Sequence, residues 1–407
     1  MKVLIAGGGV TGIEALLALR ELAPDRVEAT LLAPTPEFVY KPLAVEEPFG
    51  PEPATRLELA PLVAEAGGSF VQRGLRRIDP DEHVAELDDG SRIEFDAAIV
   101  CVGAEARSAF TKAETLHPSG QPIEIDALLR RASEHEFGRL AFVVPATGSW
   151  PLPVYELALL AERRARELSL EVRISIITPE PEPLIVFGRL ASDAVASLLA
   201  VRGIEVRTSA RAREEADGSI VLGPWEERLD AGAVVALPEL RGRAVEGLPA
   251  DEHGFIPIDE HARVLGVSGV YAAGDGANFP IKHGGLGTQQ ADAAAEQIAA
   301  DAGVELKPAP FHPVIRGKLI TGAESLNLQA DIAGGGGEGV SSLDYLWWPP
   351  QKIAGKYLSA QLGGATPRPV GPPPEHGIEV EVSLDREWHR EPMALDPLAP
   401  SDSAGDG

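Results

Sequence analysis

The chain of 407 residues carries 36 Lys and Arg against 62 Asp and Glu, a formal net charge of −26, and 44% of its residues are hydrophobic. That excess of acid repels phosphate backbones and anionic lipid surfaces, which excludes nucleic acid as a partner, while the length exceeds one ordinary core and predicts two or three lobes. The single cysteine, Cys101, excludes an intrachain dithiol relay, and no apolar run approaches the ~18 residues of a membrane span.

The amino terminus, MKVLIAGGGV, offers only four apolar residues between Lys2 and its glycines, shorter than the apolar core of a signal peptide. The expectation is a cytoplasmic protein with at most peripheral contact at the inner face of the membrane. KVLIA is a β-forming run, TGIEALLALRELA has helical spacing and RVEATLLAP reads as a second strand. Together they predict a βαβ unit of about 30 residues. A helix-like stretch after Arg56 leads to the strand SFVQRGLRRID, to the hairpin HVAELDDGSRIEF turning at Asp88-Asp89-Gly90, and to the buried strand AAIVCVGA.

From about Gly138 the pattern restarts with strand LAFVV, helix VYELALLAERRARE, strand EVRISIIT, helix GRLASDAVASLLAVRG and strand EVRTSA. GSIVLG, ERLDAGAVVAL and VSGVYAAGD follow before a helix beginning near Gly287. The repeated plan predicts an internal duplication. The fold class expected is α/β: two Rossmann-like, doubly wound nucleotide-binding modules, one inserted in the other. Residues 1–137 and 241–307 would form the first and 138–240 the second. A small C-terminal cap over 308–364 and a disordered acidic tail over 365–407 complete the expectation.

GGGVTG places Gly7, Gly9 and Gly12 at the G-x-G-x-x-G spacing. The first glycine permits the tight turn, the second admits a pyrophosphate to the backbone, and the third lets helix and strand close together. The motif follows a strand and opens a helix, the context it requires; an ordinary glycine turn is the competing reading. One element is missing, because the second strand ends at Ala33 where an acid usually meets the ribose. Glu37 could reach an adenosine by another path, or it is an exposed loop glutamate.

The late segment GVYAAGDGANFP brings Gly274 and Asp275 to the end of a strand, where the carboxylate suits a ribityl hydroxyl. With DAAIVCVGA it resembles the paired fingerprints of FAD-containing pyridine nucleotide-disulphide oxidoreductases. VYKPLAVEEPFG and IKHGGLGTQQADAAAEQIA are similar to segments of the branch holding type II NADH dehydrogenases and sulfide:quinone oxidoreductases. The resemblance covers roughly residues 1–360. It implies FAD as cofactor, with Gly7, Gly9, Gly12, Lys41, Pro42, Val71, Gly103, Gly274, Asp275 and Lys282 as its contacts. It also implies that the late helix points its amino end at the flavin ring, with Lys282 as a cation stabilising the reduced form. A solvated loop lysine and a plain surface turn at Lys41-Pro42 are the competing readings. Cys101 is read as inert packing rather than as a redox thiol.

Aligned by helix, VYELALLA matches GIEALLAL, placing Glu156 over Glu14 and Val154 over Gly12. Only Gly148 remains of the upstream glycines, and Pro151 and Pro153 stiffen the turn, which compromises ordinary NAD(P)H binding. The turn resembles the degenerate one of the sulfide branch without that branch's thiols. Trp150 and Tyr155 are candidates to wall an apolar pocket over the flavin, and Glu156 is a candidate catalytic proton carrier; a helix-capping or salt-bridging glutamate is the alternative. His253, His261, His283 and His312 lack metal-ligand spacing and read as surface or turn residues. AGGGGEG reads as a flexible joint, and LWWPP as core or cap rather than lipid contact.

The expected reaction is two-electron transfer from a small-molecule donor through FAD to a quinone-like acceptor. An NAD(P)H:quinone oxidoreductase and a non-enzymatic FAD-binding interaction module are the alternatives, and a homodimer is compatible with each.

Overall fold

Two five-stranded, all-parallel sheets organise the molecule. The computed structural model describes residues 1–50, 55–116, 123–145, 150–332, 339–347 and 349–363. In the first sheet the order is Val270–Ala272, Ala97–Val100, Lys2–Ala6, Glu28–Leu32 and Ser69–Val71, with Val3 opposite both Ala29 and Ala97. In the second it is Glu114–Thr115, Ala233–Ala236, Arg139–Val143, Arg173–Ile177 and Glu205–Arg207. Lys2–Ala6 thus lies between Ala97–Val100 and Glu28–Leu32, and Arg139–Val143 between Ala233–Ala236 and Arg173–Ile177. The chain builds the whole second sheet after strand Ala97–Val100 and before Val270–Ala272 completes the first, so one module is inserted in the other.

Both central strands are near-continuous apolar runs because helices cover both faces of a parallel sheet. Leu4, Ile5, Ile13 and Leu16 are at most 1% exposed in the first core, and Phe142, Tyr155 and Phe187 are fully buried in the second. Burial of each such side chain stabilises by about 2 kcal/mol. Helices Val10–Leu22 and Gly284–Asp301 pack along each other, which brings the two ends of the first module together. The meander Leu75–Asp79, Val84–Leu87, Arg92–Glu94 contains the expected hairpin, with Gly90 at φ +82° in its turn.

Some elements were not visible in the sequence pattern. Helix Ile125–Glu134 buries Ile125, Leu128, Leu129 and Ala132 against the second sheet, and strand Glu114–Thr115 pairs with Ala233–Ala236. A boundary at residue 138 would therefore cut this helix from the sheet it covers. The cap is an antiparallel sheet of Val314–Leu319, Leu326–Asp331 and Val340–Ser342. Val314–Leu319 buries alternate residues, so Ile315 and Leu319 pack inward against helices Leu152–Glu167 and Gly284–Asp301. No helix among the described residues is long and apolar enough to cross a membrane. The expected acidic tail, most of the glycine joint and Trp348 lie outside the described residues.

Candidate functional site

Strand Lys2–Ala6 ends at the glycine turn, and helix Val10–Leu22 starts at once with Gly9 as its N-cap. Gly7 has φ +134°, and a Cβ there would lie 2.1 Å from the Cys101 carbonyl oxygen. A Cβ on Gly12 would lie 1.8 Å from the Gly7 carbonyl oxygen, so only glycine lets this helix close on its strand. Gly9 is different: a Cβ there would meet nothing within 4 Å. A helix leaves the amides of its first turn without intrahelical acceptors, and such amides beside that open space fit the pyrophosphate of a dinucleotide.

Gly274 has φ +82°, and Cβ atoms built on it or on Gly287 would each lie 2.6 Å from Thr11 Oγ1. Gly274 N–H donates to Gln290 Oε1 at 2.8 Å. The glycine turn, the Gly274-Asp275 corner and the amino end of helix Gly284–Asp301 therefore meet. Burial raises the half-buried Asp275 carboxyl, and Lys282 and Lys41 pull it back down. None of the described residues donates it a hydrogen bond, which leaves its oxygens to accept from hydroxyls such as those of a ribityl chain. By these three observations the residues present fit FAD.

Lys282 precedes the helix, donates to the Ala277 carbonyl and sits 3.6 Å from the centroid of the Phe255 ring. Burial lowers its ammonium to about 8, with Asp275 opposing. Lys41 opens the short turn Lys41–Leu43, with Pro42 fixing the backbone. Partial desolvation at its ammonium lowers it, and Asp275 again opposes. Val71 ends the edge strand, and its carbonyl accepts from Ala33 N–H at 3.2 Å. Gly103, at φ +68°, lies against Gly276. Both belong to the carboxyl ends of the first sheet, where open α/β sheets bind ligands.

In the second module, helix Leu152–Glu167 has Pro151 as its N-cap, so Gly9 and Pro151 stand in the register that pairs Glu14 with Glu156. Val154 is fully buried where the first module has Gly12. Gly148 lies outside the described residues. Trp150 packs on His283 with centroids 4.6 Å apart and edge-on to Phe187 at 5.5 Å.

Glu156 is wholly buried. Its Oε1 accepts from Ile320 N–H at 3.0 Å and its Oε2 from Lys352 Nζ at 2.7 Å. Burial raises this carboxyl, and the Lys352 ammonium beside it works in the opposite direction. The next residue after Lys352, Ile353, packs on Gly284 at the start of helix Gly284–Asp301 and donates its N–H to Tyr40 Oη at 2.8 Å. His283, the N-cap of that helix, is lowered to about 4 by burial and by the Lys352 charge, and its Nδ1 has no partner among the described residues. Glu156, Lys352 and His283 thus form one buried polar cluster, with the half-buried Trp150 ring packed on His283, the residue after Lys282.

Several expectations change. Tyr155 does not wall a pocket: it is fully buried and donates to Glu180 Oε2 at 2.7 Å. Its place on the inner face of the helix turns the ring toward the sheet. His283 is buried rather than a surface turn residue. Glu37 lies on strand Glu37–Val39, not in a loop, and pairs with Arg56 at 3.6 Å with both side chains about half exposed. His312 bonds Asp331 at 2.8 Å, and His253 lies beside Arg241. Burial pushes the Cys101 thiol up to about 12, as inert packing requires. Sequence reasoning missed Lys352, Tyr40 and Glu180 as members of these clusters. It also missed the buried Glu14, which accepts from Tyr357 N–H at 2.8 Å and Leu358 N–H at 2.7 Å. Beside Glu14, Asp292 is pushed up to about 8 by burial and by the neighbouring carboxylate.

A family model for pyridine nucleotide-disulphide oxidoreductases matches residues 155–297. The chain is similar to the sulfide-quinone reductase of Aquifex aeolicus (strain VF5), 26% identical over 187 residues, which are 44% of this chain and 43% of that protein. It is also similar to the alternative NAD(P)H-ubiquinone oxidoreductase C1, chloroplastic/mitochondrial, of Arabidopsis thaliana, 23% identical over 326 residues, 70% of this chain and 62% of that one. It therefore spans less than two thirds of either relative. The solved sulfide:quinone oxidoreductase from the hyperthermophilic bacterium Aquifex aeolicus shares the fold, with a TM-score of 0.71 and 19% identity over 84% of this chain and 86% of that one.

Proposed function

The chain belongs to the pyridine nucleotide-disulphide oxidoreductase superfamily, and we propose that it is a FAD-dependent oxidoreductase passing two electrons from a small donor to a quinone. The observation that carries this reading is the meeting of the Gly7–Gly12 turn with the Asp275 carboxylate and the Lys282 ammonium. The names of the two relatives, a sulfide-quinone reductase and an NAD(P)H-ubiquinone oxidoreductase, support a quinone as acceptor.

Gly7, Gly9 and Gly12 would hold the pyrophosphate, Asp275 the ribityl chain, and Lys41, Pro42, Val71 and Gly103 the rim of the site. When bound, FAD supplies the two-electron chemistry that neither a carboxylate nor an ammonium can perform. Lys282 and the amino end of helix Gly284–Asp301 supply positive potential where a reduced flavin carries negative charge. Glu156 and Lys352 hold a proton between them in a dry setting, positioned for delivery to a quinone that takes up two electrons and two protons. Such an acceptor is lipid-soluble, which fits a cytoplasmic protein touching the inner face of the membrane peripherally.

The NAD(P)H:quinone reading is favoured by the Arabidopsis relative and makes a different prediction for the same titration. Under anaerobic conditions the flavin absorbance is followed as sulfide, NADH or NADPH is added, and oxidised quinone is then supplied. Bleaching by sulfide and recovery with quinone is the expected result. Flavin that resists every donor would leave only a binding module, and protein that takes up no flavin would sink the proposal.

A further inference from the structure

Thr178 follows strand Arg173–Ile177 where Ala33 follows the matching strand of the first module, and Glu180 stands two residues beyond it, near the strand end where a dinucleotide-binding module presents an acid to a ribose hydroxyl. Here that carboxylate is engaged from three directions. Tyr155 Oη donates to Oε2 at 2.7 Å, Thr178 Oγ1 donates to the same oxygen at 2.8 Å, and the Leu184 backbone also bonds the group. A carboxylate has about four acceptor positions, so little capacity is left for a ligand. Leu184 holds φ +51°, a left-handed conformation that a leucine rarely adopts, at this same corner.

Tyr155 is fully buried and lies one helical position after Val154, the residue that replaces the close-packing glycine. Its counterpart in the first module, Ile13, is equally buried and has no hydroxyl to offer. Burial raises the Glu180 carboxyl to about 7, with Tyr155, Thr178 and Leu184 opposing.

We infer that Tyr155 helps to close the second module to dinucleotides: its hydroxyl holds the carboxylate near the strand end that could meet an adenosine ribose, in a module whose Pro151 and Val154 already narrow the pyrophosphate turn. The inference rests on the proposed flavin function and narrows its donor: electrons enter from a molecule that reaches the flavin without a nucleotide handle, and NADH and NADPH are not donors. Tyr155 and Glu180 are in this sense specificity residues that touch no substrate.

The test is calorimetric titration of the FAD-loaded protein with ADP-ribose, which carries the ribose and pyrophosphate but cannot reduce a flavin. The wild type should show no saturable binding below about 1 mM. Tyr155→Phe keeps the ring and frees Glu180, and should bind at least about tenfold more tightly. Tyr155→Ala should gain no less, and if it fails to fold the phenylalanine variant decides. Micromolar binding by the wild type, or no gain by a folded, flavin-loaded Tyr155→Phe, overturns the inference. Flavin content and sulfide-driven quinone reduction in the same samples report the flavin proposal separately, since either can fail while the ADP-ribose comparison stands.

Discussion

The two nucleotide-fold modules share a plan and differ at the positions where a ligand would lie. Gly9 becomes Pro151, Gly12 becomes Val154, Ile13 becomes Tyr155, and the strand end at Ala33 becomes Thr178. In the first module a Cβ at Gly9 would meet nothing, whereas in the second the matching helix begins on proline and a buried valine. The next position after Ile13 and Tyr155 keeps its glutamate. Glu14 accepts from the backbone N–H groups of Tyr357 and Leu358, and Glu156 from the backbone N–H of Ile320 and the side-chain ammonium of Lys352. The fold therefore retains in both copies what anchors the cap, and retains in one copy alone what cradles a nucleotide.

Substitution at matched positions breaks this contrast most sharply. Gly12→Ala puts a Cβ 1.8 Å from the Gly7 carbonyl, and should cost about 3 kcal/mol and abolish flavin uptake. Val154→Gly should cost a similar ~3 kcal/mol through the cavity and the flexible residue, yet leave flavin bound. Flavin absorbance after purification separates the two. Next in size, Glu156→Gln should slow quinone reduction about 100-fold with flavin retained, as expected for a lost proton carrier. Steady-state turnover checks this, and an unchanged rate would return Glu156 to a purely structural role.

A smaller effect sits on the Glu14 side. Asp292 is raised from 3.8 to about 8, so the folded chain keeps a proton that the unfolded chain has already released. By linkage this contribution to stability falls as pH rises from 3.8 through about 8. Asp292→Asn should therefore gain stability relative to wild type across that window, most at its alkaline end, as followed by thermal unfolding. Smallest of all, Glu37→Gln disturbs only a half-exposed pair with Arg56. It should change stability by less than about 1 kcal/mol and leave flavin affinity unaltered; a weakened affinity by equilibrium titration would place Glu37 on the adenosine after all.

Much of the first module was legible because its signals are local: an apolar run, glycines at fixed spacing, then helical periodicity. The match of Glu156 to Glu14 was legible for the same reason, since both helices keep the same register after their caps. Lys352 was not, because it meets Glu156 across 196 residues and no periodicity connects them. Tyr155 misled because a tyrosine at a helix start fits a pocket wall as well as a buried strut, and only the placement of Glu180 decides. His283 read as a loop residue from its glycine-rich neighbours, although those glycines are what allow the segments around it to pack so closely.

The asymmetry between the modules is tested most directly by counting adenine dinucleotides per chain when the protein is saturated with FAD and NADH together under anaerobic conditions. One per chain, recovered as flavin and absent from Gly12→Ala, is the result expected. Two per chain, or none, would contradict it.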